Sequence, residues 1–139
     1  MEIRDLKRKY ELKVDMKNNI VYEVIFGYWT AEDYKRYHRD YVSKISPLLN
    51  DKSWVKYCDL RKYKTSMITE DMQKHVQWAG NSGFSKVIII LDEVDVYSSV
   101  VKLQIEKSMK GTMMLMEVFT NTDEADEWLK KQKDLVEES

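Results

Sequence analysis

Arg61, Lys62 and Lys64 stand just before Ser66 and Thr69, and this run of cations and hydroxyls is the sharpest chemical feature of the 139-residue sequence. If Thr69 opens a helix, the free N–H groups and partial positive charge of its first turn join those cations in a site for an anion or phosphate. Tyr63, in the same run, and Tyr34, earlier in the chain, would supply apolar walls with polar tips. The ligand- or partner-binding residues expected from sequence are therefore Arg61, Lys62, Tyr63, Lys64, Ser66, Thr69 and Tyr34. Asp92, Glu93 and Asp95 follow a later strand and set an acidic rim opposite the basic one if the two strands are neighbours. Such rims either hold a zwitterionic or metal-bridged ligand or pair with each other.

Catalytic signals are weaker. His38 and His75 are the two histidines, and neither has a spacing that would hold zinc. Asp71 and His75 lie one turn apart on an expected helix, so a carboxylate-oriented imidazole is geometrically open to them, with Asp59 as a further acid. That pairing would support a small hydrolase or transferase if His75 were accessible. Cys58 reads as a small buried hydrophobe. There is no phosphate-binding P-loop, no G-x-G-x-x-G and no nucleophile elbow, and Gly80-Asn81-Ser82-Gly83 lies at the wrong end of a helix to cradle phosphate. No enzyme activity, metal or cofactor is expected.

The elements that position these residues follow from periodicity. Tyr10, Leu12, Val14 and Met16 alternate with charged residues, and Ile20, Tyr22, Val24 and Phe26 resume the period of two after the turn Lys17-Asn18-Asn19, which predicts a hairpin. Thr30-Ala31-Glu32-Asp33 is a capping-box start for a helix with the stripe Tyr34, Tyr37, Tyr41, Ile45 and Leu48, ending near Pro47 and Asn50-Asp51. A third strand runs from Trp54 to Asp59-Leu60, and a polar stretch Arg61–Ser66 leads to a helix capped by Thr69 and stopped by Gly80. Val87–Leu91 is apolar on both faces and reads as the central strand. A helix over Val96–Lys110, a strand over Met113–Phe119 and a helix capped at Thr122 complete the order ββαβαβαβα, with a charged tail from Lys130. The expected class is α/β with a single five-stranded mixed sheet, in one domain over residues 1–139 with its core at about 10–130.

Composition bounds the partners. With 43% apolar residues, four Gly and one Pro, the chain is neither disordered nor loop-rich. Its 23 basic and 24 acidic side chains leave a net charge of -1, so no overall field favours nucleic acid or an anionic membrane. The longest apolar run is five residues, far short of a membrane span of ~20. One cysteine and a polar N-terminus point to a soluble cytoplasmic protein. Charged Lys9, Glu11, Lys13 and Asp15 protect a sheet edge, which fits a monomer or a homodimer.

Gly27-Tyr28-Trp29-Thr30-Ala31-Glu32-Asp33-Tyr34, Asp59-Leu60-Arg61 and Val118-Phe119-Thr120-Asn121-Thr122-Asp123-Glu124-Ala125-Asp126-Glu127-Trp128-Leu129 together resemble the SpoIIAA-like family of small proteins with the STAS fold. The resemblance implies a right-handed βα superhelix. It also implies kinship with anti-sigma-factor antagonists, in which a phosphorylated Ser at the start of the second helix controls docking, and with lipid-carrying Sec14-like domains. Here that stretch is Lys64-Thr65-Ser66-Met67-Ile68-Thr69-Glu70, with Ser66 nearest the switch position but no Asp before it and no Gly after it. The functional expectation is a non-enzymatic binding or regulatory domain. It would hold a protein partner or a small anionic or amphiphilic ligand at the loops after the third and fourth strands. The alternative is a lipid carrier, which requires an apolar cavity of a few hundred Å³.

Overall fold

The alternation at the start of the chain produces strands, but one more of them than the pattern suggests. The computed structural model describes residues 1–92 and 96–138, so Glu93 and Asp95 of the expected acidic rim lie outside the described residues. Strand β1 (Glu2–Arg4) precedes β2 (Tyr10–Asp15) and β3 (Ile20–Gly27), and the three are antiparallel neighbours. Helix α1 (Ala31–Asp40) runs into a widened turn at Tyr41–Ile45 and a tight one at Ser46–Leu48. Then come β4 (Trp54–Tyr63), α2 (Thr69–Ser82), β5 (Phe84–Ile90), α3 (Val96–Met109), β6 (Leu115–Phe119) and α4 (Thr122–Glu138). The sheet has six strands in the order β1-β2-β3-β4-β5-β6, and β3 to β6 are mutually parallel.

The expected count of five strands is thus corrected to six. Glu2–Arg4 holds too few residues to show a period, yet Ile3 is buried between two exposed neighbours and pairs with Leu12. The N-terminal residues are therefore an edge strand and not a charged tail. Two further boundaries move. The polar Arg61–Tyr63, expected as loop, extends β4, and α2 passes through Gly80 to end at Gly83, whose φ of +122° suits a residue without Cβ. The tail from Lys130 is helix through Glu138.

Each face of the sheet has its own cover. Leu12, Val21, Ile25, Leu60, Val87 and Ile89 pack beneath helices α1, α2 and α3 with Tyr37, Met72 and Ile105. Ile20, Tyr57, Ile88 and Ile90 pack on the other side with Ala125 and Trp128 of α4. On β3 the sequence pattern marked Ile20, Tyr22 and Val24 as inward. Ile20 and Tyr22 pack toward α4, and the alternate set Val21, Glu23 and Ile25 faces the larger core, because a strand in mid-sheet is covered on both sides. The capping box at α1 forms as its residues predict, Thr30 Oγ1 accepting from Asp33 N–H and Asp33 accepting from Thr30 N–H.

Candidate functional site

Three charged or ionisable residues occupy core positions of the larger layer: Glu23 on β3, Lys56 on β4 and His75 on α2, exposed by 2%, 4% and 1%. Strand register sets the first two together, since parallel β3 and β4 place Glu23 beside Cys58 and Val21 beside Lys56. Lys56 Nζ is 3.0 Å from Glu23 Oε2. It also donates to the Tyr37 hydroxyl at 2.8 Å and meets His75 Nε2 at 2.6 Å. The Tyr37 hydroxyl donates to Glu23 Oε2 at 2.6 Å, and the Tyr41 hydroxyl donates to the same oxygen. Cys58 Sγ donates to Glu23 Oε1 at 3.1 Å. Tyr41 is the first residue of the widened turn after α1, a departure from regular helix that aims its side chain at the carboxylate.

Proton positions follow from these contacts. An ammonium group has donors alone, so His75 Nε2 accepts and its Nδ1 carries the hydrogen. That hydrogen points at His38 Nδ1, 2.9 Å away, and His38 is half-buried at the rim of α1. The result is a continuous polar ladder from His38 through His75 and Lys56 to Glu23, crossing α1, α2, β4 and β3. Burial pushes the His75 imidazole well below the usual histidine range, and Lys56 and His38 push it further. Burial and then Glu23 push the Cys58 thiol up, so Cys58 is no nucleophile at neutral pH. The Asp71–His75 pairing expected from their spacing is not made; His75 turns inward to Lys56 and His38 instead.

Beside the ladder the packing leaves a cavity of about 70 Å³. Its walls are mostly apolar, among them Ile25, Leu60, Met72, Val76 and Ile105, and its polar members include the ladder residues Glu23, Lys56 and His75 together with Cys58, Tyr34 and Tyr63. Its volume is well short of the few hundred Å³ that an acyl-chain carrier requires. Groups of three or more metal-ligating side chains are absent among the described residues. No helix of the described residues is long and apolar enough to cross a membrane.

A second space, about 310 Å³, lies outside at the carboxyl ends of β4 and β5, lined by Arg61, Lys62, Tyr63 and Lys64 on one side and Leu91, Asp92, Tyr97 and Ser98 on the other. The structure therefore sets the two expected loops side by side, as the parallel pairing of β4 and β5 requires. It divides the expected site residues between the two spaces. Arg61 is held by Asp59 through two hydrogen bonds of 3.0 and 2.8 Å, while Lys62 and Lys64 lie over the rings of Phe26 and Tyr28. Tyr63 is buried between groove and cavity, its hydroxyl donating to Gln104 Oε1 at 2.8 Å. Tyr34 lines the cavity and is no part of the groove.

The hydroxyls expected to cradle an anion are engaged elsewhere. Ser66 Oγ accepts from Trp29 N–H at 2.7 Å and donates to the Lys64 carbonyl at 2.8 Å, which ties the loop to the start of α1. Thr69 is the first helical residue and not the cap. Ile68 holds the cap position without a side-chain bond, and Thr69 Oγ1 accepts from Gln104 Nε2 at 3.3 Å.

No family model and no curated protein matches the sequence. Solved structures do match its fold. One is an uncharacterized protein of the DUF3478 family with a SpoIIAA-like fold from Shewanella loihica, 18% identical over 85% of this chain and 90% of that one, with a TM-score of 0.60. The chain has a SpoIIAA-like fold. A second match to this SpoIIAA-like chain comes from Pseudomonas aeruginosa, in the complex of the diguanylate cyclase SiaD with its activator SiaC, at 12% identity over 85% and 97% of the two chains and a TM-score of 0.58.

Sequence reasoning missed the buried ladder. Its signal was present as Glu23 between Val21 and Ile25 and as Lys56 between Val55 and Tyr57, opposite charges at core positions of neighbouring strands.

Proposed function

We propose that this SpoIIAA-like domain is a non-enzymatic regulator that acts by binding another protein at the face where β4 and β5 end. The observation that carries the reading is the collection of exposed apolar residues there. Tyr28, Met67, Tyr97, Val100 and Leu103 are all about half exposed or more. The Tyr28 and Tyr97 hydroxyls are 3.3 Å apart, Lys64 lies over Tyr28, and the Ser66 carbonyl bonded to Gln104 sets Met67 beside α3. Tyr97, Val100 and Leu103 share one stripe of that helix. Tyrosine, methionine and arginine are enriched in protein interfaces, and a lone apolar residue on a surface needs no explanation whereas a cluster does. The rim cations Lys62 and Lys64 suit an acidic border on the partner.

Two features favour a protein over a small anion. Arg61 is already paired with Asp59, and the Ser66 and Thr69 hydroxyls are committed within the fold. A protein partner also matches SiaC, an activator found in complex with a diguanylate cyclase. The absence of an Asp71–His75 pair and the burial of His75 support a role without catalysis.

Photo-crosslinking in the native host tests the reading. A benzophenone amino acid at Tyr97 or Met67 is expected to capture one and the same protein, and the same probe at Leu115, exposed on β6, is expected to leave it uncaptured. Equal capture from Leu115, or none from either groove position, would overturn the proposal.

A further inference from the structure

The cavity under α1 and α2 contains a hydrogen-bond donor that the protein itself leaves unused and an acceptor that it uses weakly. Tyr34 is nine-tenths buried, lines the cavity, and its hydroxyl has no hydrogen-bond partner among the described residues. Glu23 lines the same cavity. Its Oε2 takes three donors, from Tyr37, Tyr41 and Lys56, while Oε1 takes just the weak S–H donor of Cys58. Tyr34, Glu23 and Cys58 all line this one cavity. Ile25, Leu60, Met72, Val76 and Ile105 supply apolar wall, and Lys56 and His75 of the ladder line it too.

We infer that this cavity is a binding site for a small uncharged molecule with a hydroxyl head and a short apolar body, such as a short-chain alcohol. The hydroxyl accepts from Tyr34 and donates to Glu23 Oε1, so one polar head satisfies both. The body meets the aliphatic walls. A charged ligand is disfavoured because Glu23 and Lys56, which both line the cavity, are already paired with each other at 3.0 Å, so a third buried charge would have no counter-ion of its own. Size is bounded as well, because about 70 Å³ is about half the roughly 150 Å³ of an engineered apolar cavity that holds benzene, which points to a ligand of three or four non-hydrogen atoms. The site is separate from the surface groove proposed to dock a protein, and neither depends on the other.

Titration of the full chain with 1-propanol, followed by ligand-observed and amide NMR, tests the assignment, with xenon as a probe of the apolar volume alone. Saturable propanol binding is expected, with shifts confined to residues around Tyr34, Cys58 and Val76. Tyr34→Phe is expected to weaken propanol about tenfold, the cost of one buried hydrogen bond, and to leave xenon binding intact. Val76→Ile, which adds a methyl group to the wall, is expected to weaken both. Intact xenon binding in Tyr34→Phe also shows that the variant is folded. Three results would each overturn the site: no saturation by propanol, equal propanol affinity in Tyr34→Phe, or xenon binding without propanol binding, which is a void or a water site and no alcohol site.

Discussion

Acid should weaken this protein as pH falls below about 6.5, the ordinary histidine value, and His75 is the cause. The imidazole is 1% exposed, accepts from Lys56 at Nε2 and donates to His38 at Nδ1. The groups that face it are Lys56 from β4, His38, Tyr34 and Tyr37 from α1, and Tyr41 from the turn that follows, with Glu23 behind Lys56. A proton on His75 Nε2 would set it against the Lys56 ammonium in a site without water. Its folded-state pKa is therefore depressed well below 6.5 by burial first and Lys56 second. The unfolded chain binds the proton near pH 6.5 and the native chain does not. Stability from this group is therefore complete above about pH 6.5 and is lost as pH falls from there toward the native value. Each pH unit in that window removes up to about 1.4 kcal/mol, so pH 5.0 costs up to about 2 kcal/mol relative to pH 8 from His75 alone. Asp5, Asp33 and Asp59 have carboxyls held below the usual range, chiefly because hydrogen bonds, with Arg36 or Arg61 among the donors, outweigh the opposing effect of burial. They titrate below this window. Urea unfolding at pH 8.0, 6.5, 5.5 and 5.0 is the assay. His75→Gln keeps an acceptor for Lys56 without a titrating proton, and should flatten most of the slope. An unchanged slope in that variant, or a wild type of constant stability from pH 8 to 5, would refute the reasoning.

Other expectations concern the same architecture. Lys56→Met leaves Glu23 buried without its cation and should cost about 3–5 kcal/mol in urea unfolding, whereas the double variant Glu23→Leu/Lys56→Met should recover most of that loss. A recovery of less than about 1 kcal/mol would mean that the pair is not what suffers. Ile3→Asp places a charge on the buried face of β1 and should destabilise by about 2 kcal/mol or more, while Arg4→Asp on the exposed face should change stability by less than about 0.5 kcal/mol. Equal effects of the two would show that β1 does not pair as described. Cys58, buried and with its thiol pushed up, should resist a thiol-specific disulfide reagent at pH 8 in the native state and react fully in urea; rapid native labelling would contradict the ladder geometry around Glu23.

The sequence was most legible where one residue type does one local job. The capping box at Thr30 and Asp33 and the doubly apolar run over Val87–Leu91 needed no knowledge of the rest of the chain, and the structure keeps both. It was least legible where the decisive contact is between distant segments. Ile3 pairs with Leu12 across a turn, and nothing in Glu2-Ile3-Arg4 announces that. Ser66 and Thr69 carried the right chemistry for an anion site, but Trp29 and Gln104, distant in sequence, take up their hydrogen bonds. His75 shows the same effect most clearly. Asp71 was its nearest acid in sequence, and the partners that claim it, Lys56 and His38, come from a strand and a helix that folding brings in. The groove itself could be placed in advance, because parallel neighbours put the loops after β4 and β5 at one edge.

The central claim, that the face at the ends of β4 and β5 docks a protein, is tested most directly by measuring affinity for the captured partner in purified form. Calorimetry with wild type, Tyr97→Ala, Lys64→Glu and, as control, Leu115→Ala is sufficient. The account predicts at least a tenfold loss in both groove variants and an unchanged Kd in the control. Unchanged affinity in Tyr97→Ala and Lys64→Glu, with each variant folded, would contradict it.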